Sequence, residues 1–272
     1  MQTRWKQWVL TNLLRNVPVT QLYTTLLGEG FAHAEIVALL GSNLPPAQQQ
    51  SLARQYAARY PQPKFIAKGL PGNVQPDNIQ IVEAEQAQLY VVEDFLALPT
   101  CENIVALSKQ HLRPSTITTA STEADTAFRT SSTCDLVSLD SEIANQVSAH
   151  IIDYFGFAKG NNEPIQAQHY APGQQFKAHT DYFEPGTSEY RQFASQLGQR
   201  TWTCMVYLNE VEAGGETEFV KLGKSLTPRP GTAVIWNNLV PDGRPNANTL
   251  HHAHPVIKGE KVVITKWFRE AV

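Results

Sequence analysis

The chain has 272 residues, 42% of them hydrophobic, and a net charge of -3. That length and apolar content suit one well-buried domain with a smaller unit beside it. Charge spread without runs of one sign lacks the basic footprint of a nucleic-acid binder, so the expected partner is a small molecule or another protein.

From Thr3 to about Tyr60, apolar residues recur three or four apart, first Trp5, Trp8, Val9 and Leu13, then Leu22, Leu26, Leu27 and Phe31. This spacing predicts a bundle of short helices over residues 1–60, punctuated by Pro18, Gly28, Gly30 and the stretch Gly41 to Pro46. Asn12, Arg15 and Asn16 interrupt the first apolar run too early for a signal-peptide core or a membrane span, so no membrane partner is expected. Between Pro61 and Pro76 stand four prolines and two glycines, a composition that cannot continue a helix. We therefore expect a linker over 61–88 and a second domain over 89–272.

In that second domain Leu89 to Phe95 is strand-like, and Cys101 to His111 and Ser141 to Phe155 are helix-like. Further strands are predicted over Gln166 to Tyr170, Thr201 to Leu208, Thr232 to Trp236, Leu250 to Val256 and Lys261 to Phe268. Many short strands after two helices predict an all-β core, a double-stranded β-helix or jelly roll with helices packed outside, next to the small N-terminal α-helical domain. Cys101, Cys134 and Cys204 show no CxxC spacing and are expected to be reduced structural thiols of a cytoplasmic protein.

The chemistry concentrates in two segments. In HYAPGQQFKAHTDYF, His179 and Asp181 are two apart, and in extended backbone such residues share a face, so an imidazole and a carboxylate can meet on one ion. A third ligand must come from elsewhere, and LHHAHPV offers His251, His252 and His254. His252 and His254 share the strand face opposite to His251. Two neutral nitrogens and one carboxylate on one side of an octahedron leave open positions of the kind that suit Fe(II) oxygenases.

The stretches FRTSS, HYAPGQQFKAHTDYF, GQRTWTCMVYLNEVEAGGETEF, RPGTAVIWNNL and LHHAHPVIKGEKVVITKWF together resemble the prolyl 4-hydroxylase family of 2-oxoglutarate oxygenases, over roughly Leu89 to Val272. Counting back four residues from Pro255, as the resemblance directs, selects His251 as the third ligand to Fe(2+) beside His179 and Asp181. The same likeness assigns Lys261 to the distal carboxylate of 2-oxoglutarate, Tyr170 and Thr217 to hydrogen bonds with that carboxylate, and Trp267 to the wall of the pocket. It places Arg200 and Arg129 on the substrate side. Phe176 stands where several relatives carry a tyrosine that contacts the target proline, and Arg269 where some carry a histidine.

What the resemblance implies is a dioxygenase that uses Fe(2+), 2-oxoglutarate and O2, with ascorbate as a candidate auxiliary reductant, to hydroxylate prolyl residues in a protein or peptide. Asp181 matters for the outcome, because related halogenating enzymes lack that carboxylate. Two other expectations stand beside this one: an oxygenase acting on a free amino acid or small metabolite, and a protein-docking module carried by an inactive barrel. The stretch Glu184 to Arg200 is long enough for a lid or for a passive connection.

Overall fold

Strands that are apolar in both phases must be covered on both faces, because successive side chains point to opposite sides of a sheet. The last predicted strand has this property: Val262, Ile264 and Phe268 belong to one buried cluster and Val263 to another. The computed structural model describes residues 2–29, 31, 33–59, 79–83, 85–116, 128–157, 160–195, 197–240 and 242–270.

Four helices come first: α1 (Gln2–Leu14), α2 (Val19–Gly28), α3 (His33–Leu40) and α4 (Pro46–Arg59). Val9, Leu22, Leu26, Ile36 and Leu40 form a core among them. They are followed by β1 (Ile79–Glu83), β2 (Leu89–Val92), α5 (Leu98–Lys109), β3 (Arg113–Pro114), β4 (Ser132–Asp135), α6 (Glu142–Phe155), β5 (Gln166–Tyr170), β6 (Phe176–His179) and β7 (Arg200–Tyr207). The remainder is β8 (Ala213–Gly214), β9 (Thr217–Phe219), β10 (Lys224–Leu226), β11 (Ala233–Asn237), β12 (His251–Ala253), β13 (Val256–Lys258) and β14 (Lys261–Arg269).

One sheet has eight strands in the order β1-β2-β11-β7-β14-β5-β4-β3, and a second has four in the order β10-β9-β12-β6. Phe219 and Ala253 of the smaller sheet share a buried cluster with Tyr170, Met205, Val234 and Val263 of the larger, so the two sheets face each other as in a jelly roll. The outer face of the large sheet is covered by α5 and α6, whose Ile104, Val147 and Ile151 pack with Trp202, Val206 and Ile264. α6 stops at Gly156, whose φ of 69° suits the left-handed residue that ends a helix. At Gly231, in the turn entering β11, a Cβ would lie 2.3 Å from the Leu96 carbonyl oxygen, so only glycine fits there.

Three expectations about elements need adjustment. Ile79–Glu83, assigned to the linker, is an edge strand paired antiparallel with β2, so the large sheet begins before Leu89; residues 61–78 lie outside the described residues. The single strand expected over Leu250 to Val256 is two, β12 and β13, which belong to different sheets. They part at Pro255, which has no N–H to donate to a ladder. The strand from Leu89 ends at Val92, ahead of Asp94 with its φ of 51°. Among the described residues no helix is long and apolar enough to cross a membrane.

Candidate active site and metal centre

His179 ends β6 and His251 opens β12, and the two are direct partners across the ladder. Two residues further along β12, Ala253 pairs with Phe176, three residues back on β6. The extra residue is therefore on β6, a bulge that leaves His251 in register with His179. It also brings Phe176 and His179, which a regular strand would put on opposite faces, to the same side: their rings stack with centroids 3.5 Å apart. Asp181 lies just past the strand, in a bend, so it meets His179 through the turn rather than through the continuous extended backbone that the spacing suggested.

The three side chains converge. His179 Nε2 is 3.9 Å and His251 Nε2 4.0 Å from Asp181 Oδ1, and ligand atoms of all three lie within 4.8 Å of one another. Each imidazole is oriented by its other nitrogen, His179 Nδ1 at 2.8 Å from the Lys177 carbonyl and His251 Nδ1 at 2.9 Å from that of Thr249. A carbonyl can only accept, so both Nδ1 atoms carry the proton, and in the neutral rings both Nε2 atoms present lone pairs. Burial, reinforced by His251, pushes the His179 pKa well below its ordinary value, which keeps that ring neutral. The two Nε2 atoms thus face one carboxylate oxygen, a donor set that fits a divalent cation.

Asp181 is held by a chain of hydrogen bonds that the motifs did not reveal. Its Oδ2 accepts from the Thr203 hydroxyl at 2.7 Å, Thr203 accepts from Asn238 Nδ2 at 2.9 Å, and Asn238 Oδ1 accepts from Trp236 Nε1 at 3.0 Å. Trp236 also packs against the His251 ring, centroid to centroid 4.9 Å. Burial alone would raise the Asp181 carboxyl, but His251, His179, Arg200 and the Thr203 hydroxyl bring it below the ordinary range. With Oδ2 engaged by Thr203, Oδ1 is the atom turned to the histidines.

The cavity that contains the triad continues between the sheets to Lys261. Lys261, Val263, Thr265 and Trp267, which alternation puts on one face of β14, all line it, as do Tyr170 and Thr217. Lys261 is 1% exposed. Its ammonium donates to the Thr217 hydroxyl at 3.2 Å and lies 5.4 Å and 5.5 Å from the centroids of Tyr170 and Tyr207. No carboxylate lies within ion-pair distance of it among the described residues. Burial brings its pKa down to about 7, with Glu216 opposing the shift. Lys266, one residue out of phase, turns to the other face of the sheet and donates to Asn162 Oδ1 and the Glu163 carbonyl.

Toward solvent the site opens into a groove of about 460 Å³ bordered by Arg129, Phe176, Arg200 and Trp267, with Glu184 and Glu189 from the stretch expected as a lid or connection. Arg129 stands 4.7 Å from the Phe176 ring centroid, and its guanidinium donates to Ser131, the Thr116 carbonyl and Thr133. Arg200 is bound differently. It makes a two-pronged pair with Glu163, at 2.6 and 2.7 Å, and lies 4.1 Å from the Trp267 ring centroid. Arg269 shares the same Glu163 at 2.7 Å. His252 is not drawn in; its Nε2 meets Gln175 Oε1 at 3.1 Å on the opposite side of β12.

Sequence reasoning missed Thr203, Asn238, Trp236 and Gln168, whose Oε1 accepts from the Thr265 hydroxyl at 2.8 Å in the cavity wall. One signal was available. Thr201, Thr203, Met205 and Tyr207 form one phase of β7 and Trp202, Cys204 and Val206 the other, so a polar-bearing phase within a strand buried on both sides marks the cavity face.

Residues 165–269 match the family model described as the 2OG-Fe(II) oxygenase superfamily. The chain is 32% identical over 203 residues to probable prolyl 4-hydroxylase 3 of Arabidopsis thaliana, a match that covers 67% of this chain and 69% of that protein. It is 30% identical over 233 residues to prolyl 4-hydroxylase subunit alpha-1 of Mus musculus, covering 85% of this chain but 42% of that subunit. In fold it is similar to the viral collagen prolyl hydroxylase of Paramecium Bursaria Chlorella virus-1, with a TM-score of 0.53 and 23% identity over 68% of this chain and 96% of that one. By its family-model match and its likeness to the plant enzyme over two thirds of both chains, the protein belongs to the prolyl 4-hydroxylase-like family of Fe(II)- and 2-oxoglutarate-dependent oxygenases.

Proposed function

We propose that the protein is a dioxygenase that hydroxylates prolyl residues in a protein or peptide, with Fe(2+) held by His179, Asp181 and His251 and 2-oxoglutarate held between that centre and Lys261. The single observation that carries this is one cavity lined at once by a triad of two imidazoles and a carboxylate and by a buried ammonium. An unpaired cation in a closed apolar site is costly unless an anion joins it, and a dicarboxylate that also chelates the metal meets both demands.

The chemistry supplied by the bound iron is oxidative decarboxylation of 2-oxoglutarate to succinate and carbon dioxide, coupled to hydroxylation of a C–H bond. This chain's own residues bind, orient and exclude water. Lys261 takes the distal carboxylate together with the Tyr170 and Thr217 hydroxyls, and Trp267 walls the pocket. Met205 and Val263 supply apolar surface that keeps solvent from the cosubstrate. Thr203 keeps Asp181 aimed at the ion, and the two backbone carbonyls keep both imidazoles in the tautomer that can ligate.

The same-family relatives are named as prolyl 4-hydroxylases, which supports a proline-containing substrate. An open groove of about 460 Å³ is more room than a free amino acid needs. Arg129, whose bonds go to hydroxyls and a carbonyl and to no carboxylate among the described residues, is proposed to orient a peptide carbonyl, with Phe176 flanking the target ring. Arg200 is committed to Glu163 and is proposed to position Trp267 and the Asp181 main chain, to whose carbonyl it donates at 3.3 Å. Helices α1 to α4, with their separate core, are proposed to form a distinct N-terminal unit that serves substrate presentation. A cytoplasmic location is supported by the three unpaired, buried thiols Cys101, Cys134 and Cys204.

The test is incubation of a proline-containing peptide library with Fe(II), 2-oxoglutarate and air, with and without ascorbate, read by mass spectrometry. Addition of one oxygen to proline by the wild type and not by Asp181→Ala is the expected result. Oxygen addition to a free amino acid with none to any peptide would favour the small-metabolite alternative.

A further inference from the structure

Strand β12 carries a second set of ligating side chains on the face that turns away from the active site. Alternation sends His251 and Ala253 into the sandwich and His252 and His254 outward. Across the ladder His252 is the direct partner of Glu218 in β9. His254 Nε2 lies 2.7 Å from Glu218 Oε2, the His252 and His254 rings are 4.2 Å apart, and one ligand atom from each of the three residues lies within 4.8 Å of the others. All three are half-buried, so an ion can reach them from solvent. None lines the cavity described above.

A hydrogen bond between His254 and Glu218 would need only those two residues. The second imidazole adds a further ring nitrogen at the same spot: its Nε2 donates to the Gln175 side-chain oxygen at 3.1 Å, which leaves Nδ1 without a proton in the neutral ring. Ligand atoms of a tetrahedral zinc ion with bonds of about 2.0–2.2 Å stand roughly 3.3–3.6 Å apart. The separations here, from 2.7 Å to no more than 4.8 Å, bracket that value, so side-chain rotation suffices and neither strand has to move. Two imidazoles with one carboxylate suit a borderline divalent cation such as zinc.

We infer that Glu218, His252 and His254 form a second divalent-metal site of the zinc type, on the outer face of the β9–β12 pair and independent of the His179–Asp181–His251 centre. Its occupant ties β9 to the strand that presents His251.

The test removes the first centre and counts metal at the second. In a His179→Ala/Asp181→Ala background, zinc chloride added by equilibrium dialysis should bind at one equivalent per chain, and cobalt chloride should give visible absorption of a low-coordinate site. Adding His254→Ala should abolish both, and the shape-conserving Glu218→Gln should weaken zinc binding by roughly tenfold or more. Zinc should raise the melting temperature of the background protein and leave that of its Glu218→Gln derivative nearly unmoved. A background protein that takes up no zinc at about 100 μM, or takes it up undiminished after Glu218→Gln and His254→Ala, overturns the proposal. Conversely, a His252→Ala/His254→Ala protein with an intact first centre should still bind one metal equivalent, so failure at one centre is distinguished from failure at the other.

Discussion

The Thr203 hydroxyl donates to Asp181 Oδ2 at 2.7 Å and thereby decides which carboxylate oxygen faces His179 and His251. Replacing Thr203 by Val keeps the shape and removes the donor. The carboxylate would then hold an unsatisfied oxygen in a buried site and Asn238 would lose its acceptor, at a cost of about 1–3 kcal/mol. Fe(II) affinity should fall roughly 10- to 100-fold, measured by anaerobic titration, while the fold persists by circular dichroism. Unchanged affinity in Thr203→Val would show that Asp181 is aimed by the bend alone.

A second prediction concerns Lys261. Its ammonium has one hydrogen bond and no carboxylate partner among the described residues, so its ion pair would form only with the cosubstrate. Removing one partner of a buried pair costs on the order of 3–5 kcal/mol, so Lys261→Ala should raise the half-saturating 2-oxoglutarate concentration roughly a hundred- to several-thousand-fold. Fe(II) affinity should barely change. Lys261→Arg should fail nearly as badly, since a planar guanidinium does not fit a slot formed around an ammonium.

The same lysine predicts a proton linkage. Burial holds its pKa at about 7 in the ligand-free protein, whereas in the unfolded chain it is about 10.4. Between those values the unfolded state keeps the proton and the folded state has lost it, so ligand-free stability rises with pH across that window, while below pH 7 the burial penalty is present in full. Binding the dicarboxylate restores the charge. Calorimetry at about pH 8.5 in two buffers of different ionisation enthalpy should therefore show proton uptake with 2-oxoglutarate, absent in Lys261→Ala; zero uptake by the wild type would contradict the assignment.

Glu163 holds two arginines at once, Arg200 and Arg269, at 2.6 and 2.7 Å. Burial would raise its carboxyl, but the hydrogen bond and charge of Arg200, with those of Arg269, hold it below the ordinary carboxylate range. A depressed folded pKa contributes stability that is present above the unfolded value of about 4.3 and lost as pH falls through the folded one. Glu163→Gln should therefore lower stability by about 2–4 kcal/mol at neutral pH and flatten its decline in acid. Denaturant melts of both proteins at neutral and acidic pH check this; parallel curves would mean that the arginines need no common carboxylate.

Much of this site was legible in the sequence because its parts sit on short strands whose alternation is regular. The phase that joins Lys261, Val263, Thr265 and Trp267 could be read directly, and these residues line one cavity. The bulge could not, because nothing in FKAH distinguishes a regular strand from one with an extra residue, and only the pairing of Phe176 with Ala253 reveals it. Thr203 and Asn238 stayed hidden for a different reason. Their roles depend on partners 22 and 35 residues away in the chain, a separation at which local pattern carries no information. Glu163 was invisible likewise, lying in an irregular segment ahead of β5.

The most direct test of the central claim is anaerobic addition of Fe(II) to the protein with 2-oxoglutarate, followed by visible absorbance, since a charge-transfer band arises only when metal and cosubstrate occupy one site. Wild type and His252→Ala should both develop the band, and His179→Ala, Asp181→Ala and His251→Ala should not. A wild type without the band, or a band that survives in His251→Ala and disappears in His252→Ala, would contradict the assignment of the iron site to His179, Asp181 and His251.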